Sequence, residues 1–268
     1  MRAFKLSSKS TITVRRLSVS LLLFVLGAAL SARADWIEKE SVDETSAVPA
    51  LIHRHVVMES SATGDAATLE LAIFSNKSCK LRLLDNRKGS SLEEAMTETP
   101  KCFAGVNGGY FDPNFAPLGL RIVDGKMINP LVRGRLLSGI LLCTDRLTNI
   151  IRLNEFSRKW KTLAAVESGP FLVDAGRPVS GLEGTRRARR TFAVVGRTEQ
   201  IAVGFCSDVS LAELSEILTR GIGQLKVQRA LNLDGGSSSG FWFKRADGSV
   251  FSISEEKTVR DFVGVVAR

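Results

Sequence analysis

Only one segment of this chain, residues 210–220, carries a sustained helical repeat. Leu211, Leu214, Ile217 and Leu218 recur there at helical spacing. Ser210 and Glu213 form a capping box ahead of them, and Gly221 supplies the stop. A shorter helix is expected over 91–98, capped by Ser90 or Ser91 with Glu94 as the return partner. The remaining apolar residues come in short runs, among them 68–75, 80–85, 104–106, 120–123, 138–142, 149–153, 191–196, 200–205 and 262–266. Turn pairs such as Asp124-Gly125 and Asp247-Gly248 separate some of these runs, because glycine accepts positive φ without a steric penalty. So many strand-length runs with one or two helices specify an α+β fold. The sheet is expected to be mixed or mainly antiparallel, in a single domain.

The first 34 residues read as a removable export signal rather than part of that domain. Arg2, Lys5, Lys9, Arg15 and Arg16 precede an apolar core over 17–30, and Ala32-Arg33-Ala34 is an A-x-A cleavage pattern. The core is shorter than the roughly 20 residues of a membrane-spanning helix. The expectation is therefore a periplasmic or secreted protein with no membrane span after cleavage; an uncleaved anchor is the alternative. The segment also accounts for most of the formal +9 charge. Without it, 31 Lys and Arg stand against 28 Asp and Glu, a net +3, which gives no reason to expect a nucleic-acid partner.

Four cysteines remain, Cys79, Cys102, Cys143 and Cys206, with three possible pairings. Cys79 with Cys102 closes the shortest loop and is the expected disulfide. Cys143 and Cys206 lie in apolar runs, where pairing and burial as free thiols are equally open. No C-x-x-C is present to suggest zinc or redox chemistry. The two histidines, His53 and His55, would share one face of a strand, read here as a solvated face.

Three apolar runs end at a polar residue followed by glycine: Val106-Asn107-Gly108-Gly109-Tyr110-Phe111-Asp112, Glu167-Ser168-Gly169-Pro170, and Leu233-Asp234-Gly235-Gly236-Ser237-Ser238. The last has five small residues in a row where a hairpin needs about two. Such glycines let backbone approach a ligand, and successive N–H groups there can form an anion-binding nest. Arg189-Arg190 adds guanidinium, which matches phosphate oxygens in bidentate fashion. Three such ends in one chain suggest one shared pocket.

Together the segments resemble the phosphodiester glycosidase domain family. The resemblance rests on Asn107-Gly108-Gly109-Tyr110-Phe111, Leu118-Gly119-Leu120, the segment 168–173, Arg190-Thr191 and the segment 230–238, in family order. It covers about 101–268; residues 35–100, read as N-terminal strands of the domain, match loosely. Ser237 and Phe192 depart mildly from the family pattern.

The resemblance implies a hydrolase that cleaves between a sugar's anomeric carbon and a phosphodiester, releasing free sugar and a phosphomonoester. It implies a sugar-phosphodiester or glycan substrate, such as an envelope glycan or exopolysaccharide. Asp234 is the first candidate for the catalytic carboxylate, with Glu167 and Asp112 as candidates for the second. Arg190 would hold the phosphate. Asn107, Thr191 and the N–H groups of Gly108, Gly109, Gly235 and Gly236 would orient substrate oxygens, with Ser237 and Ser238 as hydroxyl donors. No metal or cofactor is expected, although Asp234, Asp112 and Asn107 are oxygen ligands of the calcium type. Serine nucleophile chemistry is not indicated, because neither histidine has the context of a base. The alternative is a non-catalytic envelope glycan-binding protein on the same scaffold.

Overall fold

The computed structural model describes Met1 and residues 36–268; the expected export signal lies outside the described residues. The chain opens with β1 (Trp36–Thr45), β2 (Ile52–Ser60), β3 (Ala66–Ser75) and β4 (Cys79–Asp85), followed by α1 (Leu92–Glu98) and β5 (Cys102–Asn107). Next come β6 (Arg121–Val123), β7 (Lys126–Asn129), β8 (Gly139–Thr144), β9 (Thr148–Arg152), β10 (Thr162–Ser168), β11 (Phe171–Asp174) and β12 (Arg177–Pro178). Then follow β13 (Ala188–Gly196), β14 (Gln200–Val209), α2 (Leu211–Arg220), β15 (Val227–Asn232), β16 (Phe241–Lys244), β17 (Val250–Ile253) and β18 (Asp261–Ala267).

These strands make one eight-stranded sheet, β1-β2-β3-β14-β13-β15-β11-β12, and two five-stranded sheets, β7-β6-β10-β8-β9 and β17-β16-β5-β18-β4. The ladders between the described strands are antiparallel throughout. The fold is α+β with two helices, and the described residues form one domain.

Strand periodicity divides the core. In β14, Ile201, Val203 and Phe205 face the main core with residues of all three sheets, including Phe74, Val106, Leu141, Phe241 and Val265. The alternate residues Ala202 and Cys206 face a second core, beneath α2, with Leu214, Ile217 and Leu218. That is why the run reads as continuously apolar: both faces are covered. Both helices carry the capping boxes read from sequence, Ser91 with Glu94 and Ser210 with Glu213. Gly221 ends α2 at φ +89°. The Asp124-Gly125 turn joins β6 to β7, with both residues at positive φ.

Two expectations fail. The four cysteines are free and buried. Cys79 pairs with Ala267 and Cys102 with Val266, so β18 runs between them. Two strand spacings, roughly 9.5 Å, exceed the reach of a disulfide. The thiols also face different cores. Burial pushes Cys102 up to about 12, well away from reactive thiolate.

The histidine face is only partly solvated: His55 is half-buried and His53 is enclosed. His53 is buried; Nδ1 lies 2.8 Å from Glu44 Oε2, and Nε2 lies 2.7 Å from the buried Glu70. His55 Nδ1 sits 2.9 Å from the other Glu70 oxygen. Phe241, Phe243 and Phe251 pack on the His53 ring at centroid distances of 4.7–5.3 Å. Arg245, just beyond β16, pairs with Glu44 at 2.9 Å. This cluster ties β1–β3 to the β16–β17 hairpin. His53→Ala leaves one oxygen of the buried Glu70 unpaired, with His55 still on the other, and opens a cavity beside three phenylalanines, so it is expected to destabilise the fold by about 2–4 kcal/mol. A urea midpoint corresponding to a loss under about 0.5 kcal/mol contradicts that role.

Candidate functional site

The three polar strand ends converge. Asn107 ends β5, and its Nδ2 donates to the Asp234 carbonyl at 2.7 Å. Asp234 N–H donates to the Gly108 carbonyl at 3.0 Å, and Leu233 N–H to the Thr191 carbonyl at 2.8 Å. Thr191 Oγ1 donates to Asn107 Oδ1 at 2.6 Å. At the third end, the Gly169 carbonyl accepts from Tyr110 Oη at 2.7 Å and from Asn232 Nδ2 at 3.1 Å. Asn107, Thr191 and Asn232 are all buried, so these bonds are sheltered from water. Segments far apart in sequence are thus sewn into one backbone frame.

That frame borders a cavity of about 310 Å³ whose lining includes Tyr110, Arg190, Asn232, Asp234, Gly235 and Gly236. Leu136, Pro170, Glu183, Arg186, Ala188 and Leu211 complete the wall. Arg190 is 8% exposed; its Nε and Nη2 donate to the carbonyls of Val209 and Arg186 at 2.9 and 2.6 Å. It has no ion-pair partner among the described residues. Burial lowers its pKa from the ordinary arginine value, against the opposing pull of Tyr110 and the Glu183 charge, so its nearest counter-charge acts at a distance rather than as an ion pair. Asp234 has its pKa raised by burial, with Asp261 adding to the rise; the Ser238 hydroxyl, Lys257 and the Gly235 N–H oppose it. Burial, with the Asp234 charge nearby, also raises Tyr110 and keeps it a neutral phenol.

A family model described as phosphodiester glycosidase matches residues 100–266. The chain belongs to the phosphodiester glycosidase family. Its domain is that of a hydrolase, as the sequence motifs implied. No curated protein matches the chain in sequence. Three solved structures share the fold of this phosphodiester glycosidase domain at low identity. The zebrafish N-acetylglucosamine-1-phosphodiester alpha-N-acetylglucosaminidase catalytic domain, auto-inhibited by its pro-peptide, aligns at TM-score 0.58 and 14% identity, over 89% of this chain and 85% of that one. A hypothetical protein from Synechocystis aligns at 0.57 and 18%, over 82% of this chain and 62% of that one, so this chain spans under two thirds of its length. A putative exported protein from Burkholderia pseudomallei aligns at 0.55 and 13%, over 78% and 76%.

Several family-motif residues serve the frame rather than the cavity. Gly108 and Gly109 N–H groups donate to the Asp261 carbonyl and Oδ1, both at 2.8 Å, so neither is free for substrate. A Cβ on Gly108 would stand 1.8 Å from Asp261 Oδ1, and one on Gly109 2.3 Å from Arg121 Nη2. These glycines make room for a buried ion pair, not for a ligand. Arg121 Nε meets Asp261 Oδ2 at 2.7 Å, and its other nitrogens donate to the carbonyls of Tyr110, Leu118, Leu120 and Glu167. The hint in the sequence was a carboxylate and a guanidinium at the head of apolar runs, Asp261-Phe262-Val263 and Arg121-Ile122-Val123.

Neither candidate for the second carboxylate lines the cavity. Glu167 is 0% exposed, and its Oε2 accepts the Leu120 and Val132 amides at 2.6 and 3.1 Å, anchoring two loops. Asp112 caps its own turn, accepting the Asn114 and Ala116 amides at 2.8 and 2.9 Å. Ser237 is exposed, and its carbonyl accepts the amides of Glu256 and Lys257. Arg189 points to the opposite face of β13, toward Glu256 and the carbonyls of Ser239 and Ser254. The proposed calcium ligands do not converge: Asn107 Oδ1 is taken by Thr191 and Gly240. Among the described residues no three His, Cys, Asp or Glu side chains are placed to hold a metal ion.

Proposed function

We propose that this protein hydrolyses a sugar-1-phosphodiester at the anomeric carbon, in an envelope glycan or exopolysaccharide outside the cytoplasm. The observation that carries the reading is a buried, unpaired Arg190 sharing one cavity with the Asp234 carboxylate. A desolvated cation that forms no close ion pair suits an anionic substrate group. The signal layout of residues 1–34 supports export. No helix among the described residues is long and apolar enough to cross a membrane.

In this reading Arg190 and the Gly236 N–H hold the phosphate, while the Gly235 N–H, expected from sequence to face substrate, is taken by Asp234 Oδ1 at 3.0 Å. Asp234 takes a proton from water as the water oxygen bonds to the anomeric carbon. The carbon–oxygen bond to phosphate breaks, and its electron pair leaves on the phosphomonoester. Burial makes Asp234 a stronger base than an exposed aspartate, closer to working pH. The leaving phosphate is a weak base, so its departure needs charge stabilisation more than a proton.

Purified mature chain incubated with a panel of sugar-1-phosphodiesters, with and without chelator, is expected to release reducing sugar in both arms. No release from any member refutes the reading. Arg190→Ala removes charge-assisted bonds worth about 1.5–3 kcal/mol each. It is expected to lower kcat/KM on phosphodiesters by at least about 10-fold while sparing an uncharged aryl glycoside of the same sugar. Equal losses on both substrates would exclude phosphate recognition by Arg190.

A further inference from the structure

The hydrolysis builds positive charge on the sugar ring as the carbon–oxygen bond opens. A site for that reaction gains from an ionised carboxylate facing the ring, separate from the group that exchanges the proton. Asp112 and the Oε2 of Glu167 are bonded to backbone amides, and neither residue lines the cavity, although Glu167 Oε1 is buried without a partner. Among the described residues one other carboxylate lines the cavity with Asp234, namely Glu183.

Glu183 is held by its own loop. Its Oε1 accepts from Thr185 N–H at 2.5 Å, Thr185 Oγ1 at 2.6 Å and Arg186 N–H at 2.8 Å. Its carbonyl accepts from Ala212 N–H at 3.0 Å, tying the loop to the first turn of α2. The second carboxylate oxygen takes no hydrogen bond from the described residues. Asp112 and Asp247 cap turns in a similar way, but neither lines this cavity. Glu183 is exposed, so it combines a geometry fixed by its loop with an uncommitted oxygen at the open rim of the cavity that Arg186 and Arg190 also line.

We propose that Glu183 is a catalytic residue of this site: its free oxygen faces the sugar ring and stabilises the positive charge that develops there. The role rests on the glycosidase reading above. The two carboxylates differ in the direction that such a division requires. The Thr185 hydroxyl, the Arg186 and Thr185 amides and the nearby Arg190 charge hold Glu183 below the usual carboxylate range, while burial holds Asp234 above it. Glu183 forms no covalent bond and moves no proton. The departing electron pair goes to phosphate, and the proton from water goes to Asp234.

Glu183→Gln separates this role from turn capping, because the amide oxygen still accepts from Thr185 and Arg186. The substrate sugar is neutral in the ground state, so KM is expected to stay level or fall while kcat drops about 100-fold. Glu183→Asp, which keeps the charge, is expected to recover part of that loss. A cationic iminosugar inhibitor matched to the substrate sugar is expected to bind the Gln variant about 100-fold more weakly than wild type, and the neutral sugar to bind both equally. Unchanged kcat and unchanged iminosugar affinity in Glu183→Gln overturn the role and leave the glycosidase reading standing. Absent turnover by wild type overturns the glycosidase reading; the iminosugar comparison then decides the charge role alone. A raised KM with unchanged kcat assigns Glu183 to ground-state binding and also overturns the proposal.

Discussion

Asp234→Asn is expected to lower kcat by about 10²–10⁴-fold without unfolding the protein. Asparagine keeps the oxygen that accepts from Gly235 N–H at 3.0 Å, and the Asp234 backbone stays pinned by Asn107 and Gly108. It removes the group that takes the proton in the proposed reaction. The raised pKa of Asp234 means that ionised carboxylate is penalised in the fold, so the neutral amide should leave thermal stability level or slightly higher near neutral pH. The same shift fixes the sign of the acid limb. The base form is lost as pH falls through the folded pKa, so activity declines at a pH above the ordinary aspartate value of 3.8. In Asp234→Asn the residual rate should lack that limb. A glycan-binding protein on this scaffold would keep its biological role in the variant, and that result would favour the binding reading.

The second large effect is on stability. Asp261→Ala is expected to cost about 3–5 kcal/mol, a large part of the roughly 5–15 kcal/mol that holds a typical domain together. It leaves Arg121, 0% exposed, without its counter-charge and frees the Gly109 amide. The Asn107–Gly109 turn then keeps only the Gly108 N–H bond to the residue 261 carbonyl, and the Gly108 carbonyl that fixes Asp234 is held less firmly. Stability and turnover should fall together. Replacing both partners by apolar residues will not restore the fold, because Arg121 also satisfies four carbonyls. Chemical denaturation of the two single variants and the double variant measures the coupling. A midpoint for Asp261→Ala equal to wild type would mean that the buried pair is not what holds the turn.

Local features were legible in the sequence because local physics decides them. The Ser210–Glu213 box, the Gly221 stop and the Asp124-Gly125 turn each follow from a few neighbouring residues. The meeting of Asn107, Thr191 and Asp234 was legible through motif order. What escaped was set by distant partners. Gly108 and Gly109 look like ligand-facing glycines until Asp261 and Arg121 are seen to occupy their space. His53 looks like a surface residue until Glu44, Glu70 and three phenylalanines close around it. Cys79 and Cys102 seem pairable because nothing nearby reveals that β18 lies between them. Glu183 sits in an ordinary polar loop, and only the cavity marks it.

The central claim is that water attacks the sugar carbon and not phosphorus. Hydrolysis of an accepted sugar-1-phosphodiester in water enriched in heavy oxygen, with mass spectrometry of both products, tests it directly. The account predicts the label in the anomeric hydroxyl of the released sugar and none in the phosphomonoester. Label in the phosphomonoester instead would mean phosphorus–oxygen cleavage and would contradict the assignment of Asp234 to the anomeric carbon.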